Sequence, residues 1–118
     1  MKKSILVILS LLVFTLVHAQ NFSSDVYETN QGRMTITFIG HGTLMFQFNG
    51  KTIQVDPWSK LADYSVLPKA DLILITHAHP DHLDKVAIRK TSKEGTVLIA
   101  NAETVSYTHL TLPTNREV

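Results

Sequence analysis

The chain contains no cysteine, which excludes disulfides, thiolate metal ligands and lipid attachment through a cysteine. Its 11 Lys and Arg residues nearly balance its 10 Asp and Glu residues, for a formal net charge of +1. The sequence shows no basic stripe, so we expect no nucleic-acid partner. It also lacks internal repeats and low-complexity segments. Histidine and carboxylate side chains are left to provide any metal chemistry.

The first 19 residues are expected to form a secretory signal peptide. Lys2 and Lys3 make a basic start, residues 5–17 are mostly apolar, and cleavage is expected after Ala19. The apolar run is short for a transmembrane span. We therefore expect an exported protein, periplasmic or secreted. An uncleaved anchor is the alternative, and this segment would then be the protein's only membrane contact.

The most informative segment is residues 76–84, with the sequence THAHPDHLD. Three imidazoles and a carboxylate occur within six consecutive positions, directly after the apolar run Leu72–Ile75. The unbroken aliphatic character of that run is typical of a strand buried on both faces. Divalent metals such as zinc bind imidazole nitrogen and carboxylate oxygen, and catalytic sites keep one position open for water. The segment therefore predicts a metal site.

The spacing of these residues predicts how they are shared between two metals. If the chain stays extended past the strand, His77 and His79 point to the same side. Pro80 favours a turn, and Asp81 and His82 then fall at the start of a helix. We therefore expect His77 and His79 to serve one metal, with Asp81 and His82 serving a neighbouring one.

The pattern His-x-His-x-Asp-His after a hydrophobic strand resembles the signature of the metallo-β-lactamase superfamily. Upstream, residues 38–43 (FIGHGT) and 55–58 (VDPW) resemble the branch that includes ascorbate-6-phosphate lactonase and N-acyl-phosphatidylethanolamine phospholipase D. The resemblance covers about residues 34–104. It implies an α/β fold of the αββα sandwich type, with two sheets between outer helices. This chain would hold only the N-terminal part of that fold.

The resemblance also assigns His77 and His79 to the first metal, and Asp81 and His82 to the second. The family completes its sites with a further histidine, a bridging aspartate and another histidine downstream, and this chain has no convincing counterpart of them. The implied cofactor is Zn²⁺, one or two ions, with other divalent metals as alternatives.

Two upstream residues match family positions near the site. Asp56, at the end of its strand, matches an acidic residue that supports the metals from close by, although a plain turn carboxylate before Pro57 is the alternative. His41 matches a position near the pocket, and whether it touches metal or substrate stays open. Trp58 either lines the pocket or covers the sheet, and we favour the second interpretation.

The function implied is that of a metal-dependent hydrolase acting on a small molecule. A metal would lower the pKa of a bound water, and the resulting hydroxide would attack a carbonyl or phosphorus centre. Asp81 is the residue we expect to orient that water. Lactone, phosphodiester and amide-like substrates all stay open, and the sequence does not indicate an oligomeric state. The alternatives are a non-hydrolytic metal-binding protein, since a fold does not fix function, or an inactive truncated fragment.

Outside the cluster, periodicity and turn residues predict the secondary structure. Residues 21–32 are polar and predict a flexible lead-in, whereas residues 34–39 and 43–48 predict strands. Asn49 and Gly50 predict a type I′ hairpin, so residues 51–55 should pair back antiparallel. Residues 83–93 predict a helix with Asp84 in its first turn as a dipole partner and with Gly95 as the residue that stops it, and residues 96–100 predict a strand.

Residues 105–114, with the sequence VSYTHLTLPT, resemble the one-frame translation of a sequencing-library adapter, a transposon mosaic end with its extension. We therefore expect residues 105–118 to be adapter-derived, and residues 20–104 to be the N-terminal part of the metallo-hydrolase domain. A genuine C-terminal segment is the alternative. His109 lies in this segment, so on the first interpretation it is not a metal ligand.

Resequencing the source DNA across codon 104 tests this interpretation. We expect the genomic frame to depart from the sequence after Thr104 and to continue with further His and Asp codons. A genomic frame that encodes residues 105–118 as given would contradict the adapter interpretation, and it would leave the predicted site without its downstream ligands.

Overall fold

The computed structural model describes residues 20–107, which form one mixed sheet of six strands and two short helices. The strands are β1 (Ser23–Thr29), β2 (Gly32–Gly40), β3 (Thr43–Phe48), β4 (Lys51–Val55), β5 (Leu72–Ile75) and β6 (Val97–Ala100). The helices are α1 (Lys85–Thr91) and α2 (Ala102–Tyr107). The predicted signal peptide, residues 1–19, and residues 108–118 of the predicted adapter-derived segment lie outside the described residues.

The strands follow one another across the sheet in the order of the chain. β1 to β4 pair antiparallel, whereas β4 with β5 and β5 with β6 pair in parallel. Between β3 and β4, Asn49 and Gly50 both have positive φ, 48° and 72°. These angles are the ones that a type I′ turn requires, so the predicted hairpin is confirmed.

The prediction of a flexible lead-in was wrong, because residues 23–29 form β1. This strand pairs with β2 in unbroken register from Ser23 opposite Phe38 to Thr29 opposite Gly32. All seven of its side chains are exposed. A strand that buries no side chain has no apolar alternation, and its stability comes from backbone pairing at the edge of the sheet. The sequence pattern therefore gave no signal.

Helix α1 starts later and ends earlier than predicted. Asp84 is its N-cap, and the carboxylate accepts hydrogen bonds from the backbone N–H of Val86 at 2.8 Å and of Ala87 at 3.1 Å. An N-cap residue lies just before the first helical residue, so Asp84 and the turn that precedes it lie outside α1. At the other end, Ser92 is the C-cap and turns to an extended backbone (ψ 152°), so α1 ends before Gly95; its N–H and hydroxyl both donate to the carbonyl of Ile88.

The burial of β5 differs between its two faces. Ile73 and Ile75 are buried, as predicted, but Leu72 and Leu74 are only partly covered within the described part of the chain. Ile73 and Ile75 pack with Ile88 of α1, so helix and strand share one core cluster. The prediction of a strand buried on both faces was therefore right for one face only.

A second core cluster lies under the loop between β4 and β5. Its centre is Tyr64, which is fully buried together with Met45 and Ile39. Burial raises the pKa of Tyr64 to about 12, and its hydroxyl oxygen accepts a hydrogen bond from the backbone N–H of Trp58 at 3.1 Å. This contact fixes the path of the chain as it leaves β4.

No helix within residues 20–107 is long and apolar enough to cross a membrane.

Asp71 joins the three parallel strands at the end of the sheet where β5 begins. Its carboxylate accepts hydrogen bonds from the backbone N–H of Thr52 at 2.8 Å and from Lys93 Nζ at 3.0 Å. Its own N–H donates to the carbonyl of Thr52, and its carbonyl accepts from Val97. The Thr52 hydrogen bond and the neighbouring lysines lower the pKa of Asp71 to about 2.

Asp71→Asn should therefore lower the free energy of unfolding at neutral pH. The pKa is about 2 in the folded chain against an ordinary value of 3.8, so the carboxylate stabilises the fold above the ordinary value. That stabilisation is lost as the pH falls from 3.8 towards 2. Urea unfolding of both proteins should show a difference that shrinks over this range.

A matched control is Asp25→Asn on the exposed strand β1, which should change the free energy of unfolding by less than about 0.5 kcal/mol. A difference between wild type and Asp71→Asn that stays constant as the pH falls would contradict the role given to Asp71.

Candidate metal site at the carboxyl ends of β4 and β5

Asp56, the residue directly after β4, is buried, with 2% of its surface exposed. Its backbone is tied to both neighbouring strands, since its N–H donates to the carbonyl of Leu74 at 2.9 Å and its carbonyl accepts from Thr43 Oγ1 at 2.7 Å. Its φ of 45° is unusual for a residue with a side chain. The surrounding hydrogen bonds maintain this conformation and direct the carboxylate towards the segment after β5.

The Asp56 carboxylate accepts three hydrogen bonds from that segment. Oδ1 accepts from the backbone N–H of Thr76 at 2.8 Å, and Oδ2 accepts from Thr76 Oγ1 at 2.6 Å. Oδ2 also lies 2.7 Å from His82 Nδ1. An ionised carboxylate has no proton to donate, so Nδ1 must be the donor. In the neutral ring, Nε2 of His82 is then left with a free lone pair.

The same carboxylate orients His77 through Thr76. The single hydroxyl proton of Thr76 is donated to Asp56, so towards His77 Nδ1, 2.9 Å away, the oxygen can only accept. Nδ1 of His77 therefore carries the proton, and its Nε2 is unprotonated. Histidines that bind metals commonly donate their second N–H to a fixed oxygen in this way. The buried Asp56 carboxylate thus fixes the tautomers of two imidazoles, those of His77 and His82.

The four predicted metal ligands lie close together. His77 Nε2 is 3.0 Å from His79 Nδ1, and the ring centroids of His77 and His82 are 3.9 Å apart. Asp81 Oδ2 is 3.5 Å from His82 Nε2. The turn that places them is closed by backbone hydrogen bonds from His82 and Leu83 to the carbonyl of His79.

His41 reaches the same place from the turn between β2 and β3. Its Nε2 is 2.9 Å from Asp81 Oδ2, and its ring centroid is 6.0 Å from that of His82. This hydrogen bond lowers the pKa of Asp81 despite the opposing effect of desolvation. The Trp58 ring lies 5.5 Å from the His41 ring, so Trp58 borders the candidate site.

Gly42 and Thr76 have roles here that the sequence reasoning missed. A Cβ atom on Gly42 would lie 2.9 Å from Cε1 of His82, closer than real Cβ contacts, so only glycine lets the β2–β3 turn approach that ring. The available signals were the glycines on both sides of His41, and a hydroxyl residue between an apolar strand and the first histidine.

The donor atoms suit a divalent cation. His41, Asp81 and His82 each offer one ligand atom, and these atoms all lie within 4.8 Å of one another. Imidazole nitrogen and carboxylate oxygen are ligands that zinc accepts. His77 and His79 provide further imidazole nitrogens beside this group. The residues present therefore fit a metal-binding role.

Comparison with known proteins identifies the class. Residues 35–114 match the family of the β-lactamase superfamily domain, so the chain belongs to that family. The matched range includes part of the segment from residue 105, whose adapter origin stays a prediction. The predicted fold class is confirmed, since the mixed sheet and few helices are those expected for the N-terminal part of this fold.

The relatives are similar over the same region. A UPF0173 metal-dependent hydrolase of Flavobacterium johnsoniae is 44% identical over 81 residues, covering 63% of this chain and 35% of that protein. A second, from Shouchella clausii, is 38% identical over 79 residues, which cover 34% of that protein. A crystal structure described as a metal-dependent hydrolase from Parabacteroides distasonis has a TM-score of 0.71 and 49% identity, covering 74% of this chain and 40% of that one. The chain thus spans about a third of the length of the curated relatives it matches.

The role of Asp56 can be tested without any metal. In the metal-free protein, at a pH where the rings are neutral, we expect His77 and His82 to carry their proton on Nδ1. Asp56→Ala should remove this preference at both rings, and it should weaken zinc binding about 10–100-fold. Two-bond nitrogen NMR correlations report the tautomers, and titration calorimetry reports the affinity.

The control is Asp63→Ala, which removes an exposed carboxylate in the loop between β4 and β5. It should leave both tautomers unchanged. Rings protonated on Nε2 in the wild-type protein would contradict the assignment.

Proposed function

We propose that this protein is a metal-dependent hydrolase, with Zn²⁺ as the cofactor. His77 and His79 would hold one cation, and Asp81 and His82 a second. The observation that carries the proposal is the buried Asp56 carboxylate, because its hydrogen bonds leave Nε2 unprotonated in two adjacent imidazoles at one edge of the sheet. The names of the relatives from Flavobacterium and Shouchella support the same class of activity.

A bound divalent cation would supply Lewis acidity and lower the pKa of a water molecule at the site. The protein's own groups have separate tasks. Asp56 fixes the tautomers of His77 and His82 and so keeps their nitrogens available as ligands. Asp81 has a lowered pKa and stays ionised, so its carboxylate can accept a hydrogen bond from the attacking water and orient it. The Trp58 ring lies beside that of His41, with the ring centroids 5.5 Å apart.

The substrate would be a small molecule with an electrophilic carbonyl or phosphorus centre. Residues 38–43 and 55–58 resemble the lactonase and phospholipase D branch, so we propose the lactone or phosphodiester class. Both segments border the site, through His41 in the first and Asp56 and Trp58 in the second. We also propose that the protein acts after export, on the basis of its first 19 residues.

The second candidate is a metal-binding protein without hydrolytic activity. The described ligands come from one loop and one turn, and the matched region is about a third of each relative. Metal can bind to such a set without the groups that complete a catalytic centre. Metal content and hydrolysis must therefore be measured separately.

Replacing His77 and His79 together by alanine should reduce bound zinc by one equivalent and abolish hydrolysis. The protein should be expressed from the genomic locus that encodes this sequence. Bound metal is measured by elemental analysis after gel filtration, and turnover is measured with a panel of lactones and phosphodiesters. The control, Asp25→Ala, removes an exposed carboxylate on β1, away from the cluster, and should leave both properties unchanged.

Zinc content that is the same in the double variant and the wild type would refute the ligand assignment. Zinc loss without any wild-type turnover on the panel would favour the non-hydrolytic candidate.

A further inference from the structure

We propose that His41 is a third protein ligand of the cation held by Asp81 and His82. The proposal rests on the proposed function, because it assumes a cation at that position. It goes beyond it, since His41 comes from a different part of the chain. The second site would then take ligands from two segments about 40 positions apart, besides any that lie downstream.

The distances between donor atoms fit a shared ion. His41 Nε2 and His82 Nε2 lie 2.9 Å and 3.5 Å from Asp81 Oδ2, and all three ligand atoms lie within 4.8 Å of one another. Neighbouring ligands in a tetrahedral zinc site are about 3.3 Å apart, as follows from metal–ligand lengths of about 2.0–2.2 Å. Small rotations of the side chains would therefore suffice to coordinate one ion.

The backbone around His41 is specialised for its placement. His41 has a φ of 53°, a left-handed conformation that is unfavourable for a residue with a Cβ atom. Between Phe38 and Gly40 the pairing of β2 with β3 shifts register, which redirects the following side chain. Gly42 permits the close approach to His82 described above. Together these three features place the His41 ring beside Asp81 and His82.

The side chain of His41 is also accessible and supported. About half of it, 55%, is exposed, which leaves it free to adjust to an ion. The ring of Trp58 limits its movement on one side. Asp81 is oriented by His41 and contacts His82, so these three side chains already form a connected group.

The competing interpretation is that His41 only positions Asp81 through a hydrogen bond. Glutamine distinguishes the two, since its amide can donate to Asp81 but lacks an imidazole nitrogen. If His41 is a ligand, His41→Gln and His41→Ala should weaken binding to the same extent, about tenfold or more. If His41 only positions Asp81, the glutamine variant should retain near wild-type affinity, and the proposal is then wrong.

The experiment uses the full chain carrying His77→Ala and His79→Ala, so that only the second site can bind. Cobalt(II) titrations followed by visible absorption give the affinity and report the ligand number through band intensity. With cadmium in place of cobalt, a scalar coupling between the metal and Nε2 of His41 would show the bond directly. Circular dichroism verifies that each variant is folded.

Asp81→Ala and His82→Ala in the same background distinguish failure of the proposed cation site from failure of the role proposed for His41. If these variants bind cobalt as well as their parent does, no site exists at Asp81 and His82 and the proposed function fails. If they lose cobalt while both His41 variants retain it, and no cadmium coupling to His41 appears, only the present proposal fails.

Discussion

The candidate site depends on the hydrogen bonds of one buried carboxylate. A carboxylate with 2% exposure would be strongly destabilising without partners, and Asp56 has three donors on the segment after β5. Two of them determine which nitrogen of His77 and of His82 is unprotonated. The third, the backbone N–H of Thr76, fixes where the loop leaves the strand. The hydrogen bonds of Asp56 therefore both stabilise this part of the fold and set the protonation of the ligand nitrogens.

The residues that hold the parallel strands together and the residues of the candidate metal site lie at opposite ends of the sheet. Asp71 joins the three parallel strands at the end where β5 begins, with Lys93 and Thr52 as partners. Asp56 and the histidines occupy the end where β4 and β5 finish. Side chains at the two ends share no contact among those described. Charge at one end can therefore change the stability of the sheet without altering the geometry of the other.

The strands marked by an apolar run or a turn motif were predictable from the sequence, and so was the histidine-rich cluster of residues 77–82. The Asn49–Gly50 turn and the aliphatic run Leu72–Ile75 determine their own structure locally. β1 was missed because pairing at an exposed edge needs no apolar pattern. The start of α1 was misplaced because Asp84 was assigned to the first turn of the helix, whereas its carboxylate caps the backbone N–H groups of Val86 and Ala87 from outside it. Spacing indicated the ligands, but long-range packing determines the part played by Gly42 and Thr76.

Strand β6 has a consequence for how such a chain behaves in solution. Within residues 20–107 it is the last strand of the sheet, and its Val97 and Ile99 are each 54% exposed. A parallel edge with β-branched side chains offers unpaired backbone groups to any extended segment that reaches it. A segment of the same polypeptide would arrive at an effective concentration in the millimolar range, far above that of a separate molecule. Pairing with a segment of the same polypeptide would thus protect this edge from pairing between molecules, whereas an open edge would favour self-association as the protein concentration rises.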